Sequence, residues 1–333
     1  MIKEKHMSSR TSNVIAWNIL FAALVVALSC VLAIPSHAQT GSSQKVRTAS
    51  QPAQEAFATP QQAAEALIQA ATDYDVPALL KIFGPDGKDL VSSADPVRDK
   101  NNGTAFAAKA REKNKVVIDS KNSKRAILSV GNEDWPLPIP IVNKGGKWYF
   151  DTKAGREEIL FRRIGANELD AITICRGFVE AQEEYAEQIH DNSDVNQYAQ
   201  LIISTAGKQD GLAWQNPDGS WGGPIGEAAA KAIEEGYGEK GKPFHGYRFK
   251  VLKGQGPAAR LGTMDYVIEG VMIGGFALVA WPADYRVTGV QTFLVSYDGV
   301  VYQKDLGPDT EKIASAMERY NPDKTWRATN DDW

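Results

Sequence analysis

The chain has 333 residues, 43% of them hydrophobic and 23% charged, with a net charge of −4. That length allows a sizeable core and is more than one domain usually needs. A chain without a basic excess is a poor generic partner for nucleic acid or anionic lipid, since both need a basic patch.

Residues 1–10 hold Lys3, Lys5 and Arg10 against Glu4. Residues 15–34 are almost entirely apolar, broken by Asn18 and Ser29, and Pro35 and Ser36-His37-Ala38 follow. A basic start, an apolar run and small residues before a cut form the three-part secretory signal, which predicts cleavage between Ala38 and Gln39. Two alternatives stand beside it. The apolar run is nearly long enough to remain as a membrane anchor. Cys30, in Ala27-Leu28-Ser29-Cys30, could take a lipid, although apolar Val31-Leu32-Ala33-Ile34 follows where a polar tether belongs.

Cleavage removes three basic groups and one acidic group, turning 37 and 41 into 34 and 40, a net −6. It also removes one of the two cysteines and leaves Cys175, so packing and not a disulfide must hold the mature fold. Residues 39–55 are rich in Gln, Ser, Ala and Thr and read as a flexible leader.

Folding begins at Thr59-Pro60-Gln61-Gln62, where Thr59 can cap a helix, Pro60 suits its first turn and Gln62 can close a capping box. Ala63, Leu67, Ala70, Ala71 and Tyr74 recur on one face of that helix. Asp75 can cap a second helix, ended by Gly84-Pro85, and residues 106–111 predict a third, short one. Strands are expected at 116–118 and 126–130. The alternate prolines of Pro136-Leu137-Pro138-Ile139-Pro140 mark an edge strand or a loop. Gly145-Gly146 then turns the chain into Lys147-Trp148-Tyr149-Phe150. Residues 56–155 thus read as one α+β unit.

From 156 to 189 the pattern is helical, with Ile172, Cys175, Val179, Gln182 and Ala186 on one stripe. Gly165 and Gly177 weaken the run, so two helices with a kink are expected. Residues 206–224 read as a Gly-rich irregular loop, followed by a short helix over 225–233. An antiparallel meander then fills the rest, with turns at Gly274-Gly275 and Asp298-Gly299. Asp309 caps a last helix carrying Ile313, Ala316, Met317 and Tyr320, and a tail that is polar apart from Trp326 and Trp333 occupies 323–333. The fold class is therefore α+β in two domains, 56–155 and 156–322.

Catalytic signatures are absent. The mature chain keeps only His190 and His245, far apart and without metal spacing, and both read as structural. No nucleophile elbow, phosphate loop or dinucleotide fingerprint occurs. The run from Asn216 to Glu227 resembles a calcium loop but has Trp221 where glycine is required. Adjacent Glu157-Glu158, Glu183-Glu184 and Glu234-Glu235 point about 100° apart on a helix and read as solvated faces. Cys175, on an apolar stripe, reads as core. Trp214 and Trp221, seven apart in the Gly-rich stretch, admit two readings: a stacking platform for a flat ligand, or anchors for the loop. Trp214 is expected inward and Trp221 exposed.

Several stretches together resemble the uncharacterised bacterial family called domain of unknown function 2950. They are Phe57-Ala58-Thr59-Pro60, Gly211-Leu212-Ala213-Trp214, His245-Gly246-Tyr247, Gly274-Gly275-Phe276-Ala277-Leu278-Val279-Ala280-Trp281-Pro282 and Asp298-Gly299-Val300-Val301-Tyr302-Gln303-Lys304-Asp305-Leu306-Gly307. The resemblance implies an exported protein and transfers no catalytic residue. In shape alone, residues 57–155 look like the helix-and-curved-sheet cone of NTF2-like domains. Residues 165–305 look like the head of type IV pilin-like proteins. The polar run Gly177-Phe178-Val179-Glu180-Ala181-Gln182-Glu183-Glu184 replaces the apolar assembly helix a pilin needs, so the chain should not polymerise as one. Shape does not license function.

The expectation that follows is a non-catalytic periplasmic or secreted binding or assembly module. It needs no cofactor or metal, its partner is an envelope protein or a glycan, and it has no stable membrane insertion once cleaved. The competing expectation is an enzyme whose site lies in the cavity of the first unit. That version needs an inward carboxylate, with Asp73, Asp75 or Asp95 as candidates, converging with a tyrosine in a deep pocket.

Overall fold

A computed structural model describes residues 53–92, 96–191, 193–226 and 243–329. The signal segment with Cys30, Ala38 and Gln39, nearly all of the leader, Asp95, Glu234-Glu235, Trp333 and most of the helix expected at 225–233 lie outside the described residues. Among those described, no helix is long and apolar enough to cross a membrane. The chain is α+β and divides into two compact units, residues 1–162 and 163–333.

In the first unit, helix α1 (Pro60–Asp73) starts as its sequence dictates. The Thr59 hydroxyl accepts the Gln62 N–H at 3.2 Å, and the Gln62 side chain accepts the Ala58 N–H at 3.2 Å. Tyr74 closes it in the left-handed conformation, with φ of 50°. Helix α2 (Val76–Phe83) is capped by Asp75, whose carboxylate accepts the Ala78 N–H at 3.0 Å. Helices α3 (Lys88–Val91) and α4 (Pro96–Glu112) follow. The last is far longer than the short helix expected at 106–111. The Asn101-Asn102-Gly103 run that reads as a breaker is absorbed into its middle.

An antiparallel sheet comes next, from β1 (Asn114–Asp119), β2 (Asn122–Val130), β3 (Trp135–Pro136), β4 (Ile141–Lys144) and β5 (Lys147–Phe150). The order is β1-β2-β4-β5, with β3 on β2. Helix and sheet faces meet in one core that includes Ala63, Leu67, Ile82, Leu128, Ile141 and Phe150.

Helix α5 (Thr152–Tyr185) runs 34 residues without a break, so one helix stands where two were expected. The boundary between the units falls inside it. Its N-terminal part belongs to the first core through Ile159. Arg162 donates to the Pro136 carbonyl at 2.7 Å and lies over the Trp135 ring at 5.0 Å.

The second unit is built on the later part of that helix, whose apolar stripe Ala171, Ile172, Cys175, Phe178, Val179 and Tyr185 is buried. Strands β6 (Leu201–Ile203), β7 (Gly211–Gln215) and β8 (Trp221–Gly222) form a small sheet. The main sheet contains β9 (Tyr247–Leu252). Two short ladders follow it, β10 (Gly254–Gln255) with β11 (Met264–Asp265), and β12 (Val267–Ile268) with β13 (Val271–Met272).

The chain returns through β14 (Ala277–Pro282), β15 (Gln291–Ser296) and β16 (Tyr302–Asp305) to helix α6 (Thr310–Ser315) and β17 (Arg327–Ala328). The main sheet has the order β17-β16-β15-β14-β9. Its inner strand β14, between β15 and β9, is buried along its whole length, which explains the unbroken apolar run Ala277-Leu278-Val279-Ala280-Trp281.

Three sequence expectations fail here. Gly274-Gly275 is not a hairpin turn, because β14 pairs with β9 and β15 and not with the strand before it. A Cβ at Gly274 would lie 2.5 Å from the Asp265 carbonyl, so glycine serves a close approach. The 323–333 tail is more than a tail: β17 within it extends the main sheet, and Trp326, one of its two apolar exceptions, is buried. Asp309 stands at the start of α6 but makes no side-chain cap bond, and the expected apolar face splits: Ile313 and Ala316 are exposed, while Tyr320 is buried and Met317 packs against the core.

Candidate functional site

The first unit holds a cavity of about 100 Å³. Leu67 and Ala71 of α1, Leu79 and Phe83 of α2, Leu90 and Val91 of α3, and Leu137-Pro138-Ile139 supply apolar walls. Phe106 and Gly103 of α4, Ile159 of α5 and the Tyr74 ring complete them. A single water needs about 10–15 Å³ of such space, and an apolar cavity of about 150 Å³ takes benzene or xenon. This one is therefore in the range of a small apolar ring or a short chain.

Helix α4 also brings polar groups to it. Asp99 lines the cavity and is 6% exposed. Asn102, three residues on, lines it too, and its Nδ2 is fully buried with no hydrogen-bond partner among the described residues. Residues three apart on a helix share a face, so the carboxylate and the amide address the same side. Buried polar groups are normally paired, and one left without a partner calls for a reason. A ligand that accepts from Asn102 is such a reason.

Neither Asp73 nor Asp75 is the inward carboxylate. Asp73 is exposed and takes the Gln69 amide at 2.5 Å, while Asp75 is spent on capping α2. The inward carboxylate is Asp99, and Tyr74 shares its cavity. Sequence reasoning missed it because Asp99-Lys100-Asn101-Asn102-Gly103 looks like a loop. The spacing of Asp99, Asn102, Gly103 and Phe106, steps of three, one and three, is the one-face helical signal that could have found it.

Trp214 and Trp221 do not stand on an irregular loop. They lie on β7 and β8, paired antiparallel with Gln215 opposite Trp221 and Trp214 opposite Gly222. The turn Asn216-Pro217-Asp218-Gly219-Ser220 is closed by the Asn216 N–H bonding the Ser220 carbonyl at 2.8 Å, and the Asp218 carboxylate accepts the Ser220 N–H and hydroxyl. That carboxylate, which might have served a calcium ion, is committed to its own turn.

Trp214 packs on the second core. Its ring meets Tyr185 edge-on at 6.5 Å and His190 at 5.4 Å. Gly222 and Gly223 press against it: a Cβ on Gly222 would lie 2.6 Å from the indole Nε1. The glycines here allow close packing. Trp221 is half-buried, lies outside that core cluster and has no ring partner among the described residues.

His190 is buried, stacked on Tyr185 at 3.9 Å, with Nε2 2.9 Å from the Tyr185 carbonyl and Nδ1 3.3 Å from the Gln209 amide oxygen. His245 pairs with Asp170 at 2.7 Å on the tight turn between Phe244 and Tyr247. Cys175 is fully buried, and burial pushes its thiol up to about 12. Burial likewise raises the Tyr185 and Tyr266 hydroxyls to about 12. For Tyr185 the charges of Asp191 and Asp210 add to it.

Two further hollows belong to the second unit. One is a polar groove of about 550 Å³ bordered by Asp191, Gln197, Gln200, Lys208, Asp210 and Lys253, and the other an apolar one of about 270 Å³ by Ile174, Phe178, Ala181, Phe249 and Leu278. Neither is lined by Trp214 or Trp221. No cluster of three or more His, Cys, Asp or Glu that could hold a metal occurs among the described residues.

Fold and site together define an α+β chain whose first unit encloses a small apolar cavity with a polar end. The chain belongs to the family described as protein of unknown function (DUF2950), whose model matches residues 54–329. No curated protein and no solved structure matches it.

Proposed function

We propose that the chain is an exported, non-catalytic binding module of the cell envelope, and that its ligand enters the cavity of the first unit. The observation that carries this reading is an apolar hollow, bounded by a buried carboxylate, in which the Asn102 amide nitrogen has no partner. Small-molecule sites are mainly apolar with a few placed polar groups, and this cavity has that composition. Export is supported by Lys3, Lys5 and Arg10 before the apolar run and by Ser36-His37-Ala38 after it. In the second unit, Trp221 is the indole that an envelope protein or a glycan would cover, since Trp214 is used in packing.

A second reading has its own observation. Asp99 and Tyr74 line the same cavity, and a carboxylate and a phenol in one largely apolar site are the equipment for moving a proton on a bound substrate.

The test uses protein purified from the envelope fraction. Native and then denaturing mass spectrometry should release a small molecule, and Ala71→Leu, which fills the cavity, should carry less of it while melting cooperatively. Empty protein in every preparation, together with no rise in Tm from any member of a library of small apolar compounds, would overturn the proposal.

A further inference from the structure

The cavity also indicates what kind of molecule it takes, an inference that rests on the binding reading above. Its walls are hydrocarbon from Leu67, Ala71, Leu79, Phe83, Phe106 and Ile139. Helix α4 contributes Asp99 and Asn102, one turn apart on one face. Their hydrogen-bonding characters are opposite. The Asn102 amide nitrogen donates and has no partner. The Asp99 carboxylate offers several acceptor positions, so it can take a donor from a ligand in addition to any bond it already makes.

A ligand end that satisfies both must present an acceptor and a donor side by side. An alkyl or plain aromatic end supplies neither. A ketone meets Asn102 and offers nothing to Asp99, and an amine meets Asp99 and offers nothing to Asn102. A carboxylate meets Asn102 but sets a second negative charge near Asp99, which is unfavourable in a low-dielectric hollow. A hydroxyl can do both only through a single oxygen set between the two groups, whereas a carboxamide carries its C=O and N–H on one carbon and meets two groups a helical turn apart with separate atoms. We infer that the cavity selects small molecules with an apolar body and a carboxamide end, held by Asn102 donating to the carbonyl and Asp99 accepting from the N–H.

The experiment is calorimetric titration of the full mature chain with five probes of nearly equal size: toluene, acetophenone, benzylamine, benzoate and benzamide. Benzamide should bind tightest, about tenfold or more better than toluene, because the others leave a buried polar group unmet. Benzoate should bind worst. Asn102→Leu should remove the benzamide preference and leave toluene binding in place. Asp99→Asn, close in shape, should raise benzoate affinity by about tenfold or more through loss of the repelling charge, a gain that misfolding cannot imitate. If toluene or benzoate equals benzamide on the native chain, the carboxamide inference is wrong while the cavity reading stands. If none of the five binds, the cavity reading itself falls and the inference with it.

Discussion

Trp214→Ala distinguishes packing from ligand binding at the β7–β8 hairpin. A tryptophan offers about 150–250 Å² for burial, worth about 4–6 kcal/mol if fully covered at 25 cal/mol per Å². Trp214 is half-buried against the second core, which lowers the figure to about 3 kcal/mol. Its contacts with Tyr185 and His190 add about 0.5–1.5 kcal/mol each at most. The expected loss is about 4–6 kcal/mol, or about 15 °C in Tm for a unit of this size. Trp221→Ala, without a ring partner and outside the core cluster, should cost about 1 kcal/mol or less. Urea unfolding followed by far-ultraviolet circular dichroism measures both. Equal losses for the two variants, or a neutral Trp214→Ala, would refute the packing argument and restore the indoles as a ligand platform.

Gly103 sits mid-helix on α4, where an added Cβ meets the Tyr74 ring at 3.5 Å and the Ala71 carbonyl at 3.9 Å, both ordinary contacts; Gly103→Ala should therefore stabilise the protein by about 0.5–1 kcal/mol while narrowing the cavity, read as a higher urea midpoint with weaker probe binding. Cys175→Ala should cost about 1–2 kcal/mol through lost packing, and the native thiol, buried and held neutral well above its ordinary 9.0, should resist labelling at pH 8 on the timescale of hours. Alkaline stability follows from the same burial. Cys175, Tyr185 and Tyr266 bind their protons more tightly folded than unfolded, so their contribution is complete below their ordinary values of 9.0 and 10.0 and is lost as pH rises toward about 12. Chemical denaturation should give flat stability from these groups up to about pH 9 and a decline between 9 and 12; a rise across that window would contradict the assignment. Finally, a fragment of residues 54–162 should fold with more stability than one of residues 56–155, because Ile159 and the Arg162 bond to the Pro136 carbonyl belong to the first unit.

Much of the fold is legible in local chemistry. Thr59, Asp75 and Gly145-Gly146 mark helix starts and a hairpin through rules that need only a few neighbouring residues, and each acts as those rules require. What the sequence hides depends on distant partners. Gly222, Gly223 and Gly274 look like flexible or turning positions, yet each is small because another part of the chain approaches it: the Trp214 indole, the Leu212 carbonyl and the Asp265 carbonyl. Helix α4 is concealed for a related reason, since Asn102 and Gly103 are poor helix formers whose place is fixed by packing against α1. With that helix hidden, nothing local puts Asp99 and Asn102 on one face, and Asp73, Asp75 and Asp95 are the carboxylates that stand out instead. The aromatic pair was visible as residues, but its use was not, because Trp214 finds its partners at Tyr185 and His190, more than twenty residues away.

The central claim is that the first-unit cavity admits a ligand. Methyl-labelled full chain, titrated with toluene and followed by carbon–proton NMR, tests it most directly. The account predicts saturable shifts at Leu67, Leu79, Leu90, Ile139 and Ile159, with Ile174 and Ile202 of the second-unit groove unmoved. No shift at saturating toluene, or shifts confined to Ile174 and Ile202, would contradict it.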